Sequence, residues 1–267
     1  MRSMILIAAF TFLVNLGGIA AASWSPQPAD PFDPDGLGRL ARGDILLIGE
    51  VHGTRETPAA FLALVDRATA AHGIAGVGLE MPITAGAAGC DGGDAPLGAF
   101  WRRPVQDGRS SAAMRELVCD LKARAARGKV RLLYLGGAGI GDYPARTAAR
   151  LGIEADAGRP ILVLVGNFHA RNTPGSIAAV LAGQGRKVTA LTASARTAET
   201  WSCTAEGCGP RPMGMGFCQV EPTGPYLLTK AIRDSRWDGC LALPRATSSP
   251  PAFAAALGDT SKGKTKP

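Results

Sequence analysis

The sequence predicts an α/β domain: a mostly parallel central sheet with helices on both faces, braced by disulfide-tied loop excursions. Three observations carry this. Short apolar runs at 44–48, 75–80, 130–135, 161–165 and 187–191 are near-continuous in Val, Ile, Leu and Ala, as suits strands covered on both faces. Segments with helical apolar spacing alternate with these runs, the order that gives parallel strands joined by crossover helices. The 6 cysteines fall mostly in two stretches, 83–108 and 193–243, that break the alternation.

The chain opens with Arg2, an apolar run over 4–16 and small residues through Ala22. This is the order of a secretory signal peptide, with Ala20-Ala21-Ala22 as the cleavage site. An uncleaved anchor is the competing reading, but the apolar run is short against the roughly 17–25 residues a span needs. Residues 1–22 are therefore expected to be removed and 30–244 to form one domain. Residues 245–267, rich in Ala, Pro, Ser, Thr and Lys, are expected to form a disordered tail. Export implies an oxidising periplasmic or extracellular compartment, with no stable membrane insertion once the leader is cleaved.

The first strand, 44–48, runs into Gly49. A helix is expected from Thr57 as N-cap and Pro58 as first helical residue to a stop at Gly73, burying Phe61, Leu62, Leu64, Val65 and Ala68. His72 closes it, where a partly charged imidazole suits the helix dipole. Strand 75–80 ends on Glu80, an acidic residue where a buried strand would stay apolar. A helix over 111–127, stopped by Gly128, buries Met114, Leu117, Val118 and Leu121. Cys119 lies roughly 140° from Met114, at about 100° per residue, so it can reach a loop such as that of Cys90.

Strand 130–135 leads into Gly136-Gly137-Ala138-Gly139-Ile140-Gly141. Its spacing departs from a dinucleotide-binding loop, and it reads as a tight turn bringing Asp142 and Arg146 to the sheet edge. Further helices are expected near Pro144 and from Thr173-Pro174, on either side of strand 161–165; strand 187–191 is the last. The stretches 83–108 and 193–243 are read as excursions over the sheet, either of which can cover a pocket. The preferred cysteine pairing is Cys90–Cys119, Cys203–Cys208 and Cys218–Cys240. A zinc site at Cys203, Cys208 and Cys218 lacks close Cys-x-x-Cys spacing and a neighbouring histidine.

A repeated motif points to chemistry. Gly49-Glu50-Val51-His52 and Gly166-Asn167-Phe168-His169 each place Gly-x-x-His at the end of an apolar strand, in a chain with only 3 histidines. Ligand sites of open α/β sheets lie beyond the carboxyl ends of the strands. His52, Glu50, Glu80 and His169 all belong there. Two imidazoles with a carboxylate, His52, His169 and Glu80, can hold manganese, cobalt or zinc and activate water. Without metal, one histidine held by a glutamate can act as general base. Both mechanisms predict hydrolysis of an ester or amide, in a small-molecule or peptide substrate. The plain alternative is that each histidine caps its strand and does nothing more.

Charge excludes one class of partner. The chain has 29 basic and 22 acidic residues, a formal net charge of +7. Loss of Arg2 leaves +6, of which +3 lies in the tail from Arg245 onward. The body has no cluster of arginine and aromatic residues, so no nucleic-acid surface is expected. The oligomeric state has no signature.

At the motif residues the chain resembles the superfamily that joins erythromycin esterases, the ChaN haem-binding proteins and the Tiki/TraB proteins. Gly49-Glu50-Val51-His52-Gly53-Thr54-Arg55-Glu56 is similar to the Gly-Glu-(x)-His-Gly-Thr-x-Glu segment of the esterases and its shorter ChaN counterpart. Paired Gly-x-x-His motifs with an intervening glutamate, here Glu80, resemble the Tiki/TraB hallmark. The specific likeness is confined to some residues within 44–170, with ChaN-like members nearest. Tiki-like members imply a metal-dependent peptidase with His52, Glu80 and His169 as ligands or their partners. Esterase-like members imply His52 as a metal-free base acting on a lactone. ChaN-like members imply surface haem binding without catalysis. Against that branch, the chain lacks a lipoprotein cysteine at the cleavage site and has only 3 tyrosines as iron ligands. It is also short for an erythromycin esterase.

Overall fold

The structure is a computed structural model that describes residues 30–90, 98–103, 107–136 and 142–253. The leader, the glycine run from residue 137 to 141, and residues 254–267 lie outside the described residues. Strands β1 (Ile45–Glu50), β2 (Ala75–Leu79), β3 (Val130–Tyr134), β4 (Ile161–Gly166) and β5 (Val188–Ala195) alternate with helices. The helices are α1 (Glu56–His72), α2 (Ala112–Ala126), α3 (Tyr143–Asp156), the short α4 (Asn167–Ala170) and α5 (Ile177–Gly183). A hairpin, β6 (Glu199–Thr204) and β7 (Gly207–Pro212), follows, and then β8 (Leu227–Thr229) and β9 (Gly239–Leu243). The 7-stranded sheet has the order β3-β2-β4-β1-β5-β9-β8. All its neighbours pair in parallel except β8, which runs antiparallel to β9.

Burial on both faces explains the apolar runs. Along β1, Leu46 and Ile48 join a core with Phe61 and Val65 of α1 and Leu117, Val118 and Leu121 of α2. Ile45 and Leu47 point the other way, against Leu151 of α3 and Ile177 and Leu181 of α5. This is the alternation a pleated strand imposes. Among the described residues no helix is long and apolar enough to cross a membrane.

Four local expectations are corrected. The first helix begins at Glu56, not after Thr57: Thr57 is fully buried and accepts a 3.1 Å hydrogen bond from Thr54 Oγ1. The start is fixed instead by the Glu56 carboxylate, which accepts from the Thr247 amide at 2.7 Å and its hydroxyl at 2.8 Å. That contact also corrects the tail. Residues 245–253 pack on the domain, with bridges Thr54–Ser248 and Ser111–Pro251 and with Ala246 and Ser249 buried. Backbone pairing supplies there what the composition does not advertise.

No helix starts at Thr173-Pro174, because Gly175 has a φ of +81°, outside helical geometry. Ser176 is the N-cap, accepting from the Ala179 amide at 3.1 Å. Finally, residues 193–243 are not wholly an excursion. β5 continues to Ala195, and β9 extends the sheet beside it with all five residues buried.

The three disulfides are Cys90–Cys119, Cys203–Cys208 and Cys218–Cys240, with Cα separations of 5.3, 3.9 and 6.0 Å. The first ties α2 to the loop before it, and the third ties β9 to the segment after the hairpin. Each such link stabilises by about 2–4 kcal/mol. Full reduction is therefore expected to lower the melting temperature by several degrees or more in differential scanning fluorimetry. An unchanged melting curve with thiol titration confirming reduction would contradict this.

Candidate active site

The two Gly-x-x-His motifs end adjacent parallel strands, in a register that pairs Gly49 with Val165 and Glu50 with Gly166. Each glycine makes room for the other motif. A Cβ on Gly49 would lie 2.5 Å from Asn167 Oδ1, and one on Gly166 would lie 3.2 Å from His52 Nε2 and 3.4 Å from Glu80 Oε2. The repetition is thus a packing requirement where two strand ends meet.

His52 Nδ1 lies 2.9 Å from Glu50 Oε1, and Glu50 is 3% exposed. A carboxylate only accepts, so in the neutral ring Nδ1 carries the proton and Nε2 is the basic nitrogen. Burial alone would lower the His52 pKa. The Glu50 hydrogen bond and charge outweigh it, Glu80 adds to them, and Arg109 opposes; the net effect raises it above 6.5.

Glu80, at the end of β2, links the rest. Its Oε2 accepts the Gly166 amide at 2.7 Å. Its Oε1 lies 3.4 Å from Arg109 Nη1 and 3.7 Å from His169 Nε2. Arg109 is also held by Asp107, Nε to Oδ2 at 2.9 Å. Burial would push the Asp107 carboxyl up, but Arg109 holds it below its ordinary value. His169 packs edge-on against Tyr143, ring centres 4.9 Å apart. Burial, reinforced by Glu80, raises the Tyr143 phenol and keeps it neutral.

The loop carrying His52 is held from two sides. Thr200 Oγ1 donates to the His52 carbonyl. The Trp201 and Ser249 amides both donate to the Gly53 carbonyl, at 3.1 and 2.8 Å. On the neighbouring motif, Thr192 Oγ1 donates to Asn167 Oδ1 at 2.8 Å.

Glu50, His52, Glu80 and His169 all line one cavity of about 530 Å³. Its walls include Trp201, Met213, Phe217 and Trp237, so the 193–243 stretch does cover the pocket. The 83–108 stretch contributes Asp107. The structure therefore gathers all four site residues expected from sequence. Asp142 and Arg146 do not line the cavity, and neither does His72, which sits at the end of α1. Sequence reasoning missed Asp107 and Arg109, whose only signal is a charged pair flanking Gly108, and the aromatic walls, which carry no motif.

Among the described residues, no group of three or more His, Cys, Asp or Glu is arranged to hold a metal ion. Glu80 already faces the Gly166 amide and the Arg109 guanidinium, a resident positive charge, and His52 Nδ1 faces Glu50. Glu50 holds His52 Nδ1 and leaves Nε2 available, an arrangement that suits a general base and a metal ligand alike. The three tyrosines, Tyr134, Tyr143 and Tyr226, too few in the sequence to favour the haem-binding branch, do not line the cavity.

No family model and no curated protein matches this chain. Its α/β fold has counterparts among solved structures. A mutant of the erythromycin esterase EreC in its open conformation superposes with a TM-score of 0.50 at 10% identity, covering 81% of this chain and 94% of that one. A Bacillus cereus protein gives a TM-score of 0.47 at 11% identity, covering 81% and 91%. At such identities the likeness is one of fold.

Proposed function

We propose that the chain is an exported hydrolase in which His52, oriented by Glu50, activates water against an ester or amide carbonyl without a resident metal. The Glu50–His52 pair in the wall of an apolar cavity is the observation that carries this reading. His52 Nε2 takes a proton from water as the hydroxide oxygen bonds to the carbonyl carbon. Glu50 stabilises the imidazolium that forms. Collapse of the tetrahedral intermediate breaks the bond to the leaving oxygen or nitrogen, which takes the proton back from the His52 imidazolium and restores the neutral base, while His169, held beside Glu80, positions the leaving group from the same wall. Arg109 keeps Glu80 in place and offsets the carboxylate charge around the base. The three disulfides support an oxidising compartment, periplasmic or extracellular.

The direct test is a panel of chromogenic esters, lactones and amides, with tag-free protein analysed for metals before and after chelation. Hydrolysis that survives complete chelation is the expected result. Activity lost on chelation and restored by manganese, cobalt or zinc would replace this mechanism with the metal-dependent one. A stoichiometric haem absorption band without turnover would replace it with haem binding.

A pH profile tests the base itself. A general base must be neutral, so kcat/KM should rise with pH along a limb centred above 6.5. Glu50→Gln removes the charge that raises the His52 pKa and leaves burial, which lowers it. The limb is then expected to move to lower pH while the plateau rate falls. A limb that stays in place would assign the titration to another group.

A further inference from the structure

Beyond the reacting groups, the cavity carries donors that meet no acceptor. Arg171, just after α4, holds its guanidinium carbon 4.8 Å from the centre of the Phe168 ring. Its Nε is buried without a hydrogen-bond partner, and no described carboxylate forms an ion pair with it. The other lining cation, Arg236, is neutralised by Asp234, and Arg109, which reaches Glu80 from outside the lining, is paired with Asp107 and Glu80. The indole Nε1 atoms of Trp201 and Trp237 are likewise buried without an acceptor, and Trp237 is only 5% exposed.

Guanidinium and indole N–H groups donate and never accept. Buried polar groups in folded proteins are as a rule paired, so orphaned donors on three residues that line one cavity mark a wall short of acceptors. A guanidinium without a carboxylate calls for oxygens that carry charge. The orphaned acceptor among the lining residues, Glu50 Oε2, belongs to the base itself. The rest of that wall is largely apolar. Phe217 and Trp237 pack with ring centres 5.5 Å apart, and Met213 adds a polarisable edge.

We infer that the cavity takes an anionic, largely apolar substrate, whose apolar body lies along the tryptophan walls and whose carboxylate or phosphate is held by Arg171. This names the substrate class of the hydrolase proposed above and rests on that reading for its scissile bond alone. The anion site stands on Arg171, which lines the cavity without a carboxylate partner among the described residues.

Calorimetric titration separates the two. The probes are 4-phenylbutyrate, phenylphosphate and the neutral 4-phenylbutyramide. At least one anion should bind saturably and at least about tenfold more tightly than the amide, about 1.4 kcal/mol. Whichever anion binds more tightly identifies carboxylate or phosphate as the group held. Arg171→Gln should shrink the preference to about threefold or less, while Arg171→Lys, which keeps the charge, should retain most of it. An amide that binds as tightly as the anions, an unchanged preference in Arg171→Gln with a native melting curve, or no saturable binding of any probe overturns the inference.

Turnover is scored separately with p-nitrophenyl butyrate and mono-p-nitrophenyl glutarate. Arg171→Gln should lower kcat/KM for the anionic ester at least about fivefold more than for the neutral one. Arg171-dependent anion binding without hydrolysis of either ester would remove the hydrolase reading and keep the anion site. Hydrolysis of both esters without any charge preference would do the reverse.

Discussion

Replacing His52 with alanine is expected to lower hydrolysis by about 10²–10⁴-fold, the usual contribution of a positioned general base, with the fold retained and the melting temperature lowered by at most about ten degrees. The two parts of this expectation have different origins. The rate falls because Nε2 is the basic nitrogen on the cavity side, and Glu50 has no other imidazole to orient. The fold holds because the His52 side chain is 21% exposed at the cavity wall, and its backbone is anchored independently by Thr200, Trp201 and Ser249 through the His52 and Gly53 carbonyls. Alanine keeps those carbonyls. It does leave the Glu50 carboxylate buried without its partner, which costs about 1–3 kcal/mol if no water replaces the ring. His52→Ala/Glu50→Gln should recover most of any lost stability and none of the rate. Wild-type turnover by His52→Ala would place the base elsewhere. Global unfolding of both variants would favour the strand-capping role for the histidine.

Strands β1, β2 and β4 were legible because each is buried on both faces, which leaves a continuous apolar run that few other environments require. The motif residues were legible for the opposite reason: Glu50, Glu80, His52 and His169 are polar where such a strand ends. Parallel topology then brings separate strand ends to one edge, as the pairing of Glu50 with Gly166 does. Arg109 and Asp107 had no comparable signal, since they reach Glu80 from a loop whose path depends on tertiary packing. The same holds for Trp201 and Trp237, which line the cavity only because the hairpin and the segment before β9 fold over the strand ends. β9 itself was hidden by its brevity and by Gly239 and Cys240, which break the apolar pattern. The packed part of the tail was hidden because backbone bridges, unlike side-chain burial, leave almost no trace in composition.

Gly108→Ala is expected to damage the fold and the site together. Gly108 has a φ of +86°, which alanine adopts only with strain. An added Cβ would also stand 2.3 Å from the Gly53 nitrogen and 2.5 Å from the His52 carbonyl carbon. Both obstructing atoms are backbone, so no rotamer change relieves the overlap, and the loop from 107 to 109 must move away from the His52 turn. Arg109 moves with it, and Glu80 loses a cation that also influences His52. Strain and displacement together should cost about 3 kcal/mol and lower turnover at temperatures where the protein remains folded. Gly128→Ala is the control. Gly128 has a φ of +69° but nothing within 4 Å of its added Cβ, so it carries the strain without the overlap, about 1–2 kcal/mol. Urea denaturation of the two variants, with esterase rates measured below both transitions, separates the contributions. A larger loss in Gly108→Ala, accompanied by reduced turnover that Gly128→Ala does not share, is the expected pattern. Equal losses and wild-type rates in both would mean that the 107–109 loop does not seat against the His52 turn, and Arg109 would leave the active site with it.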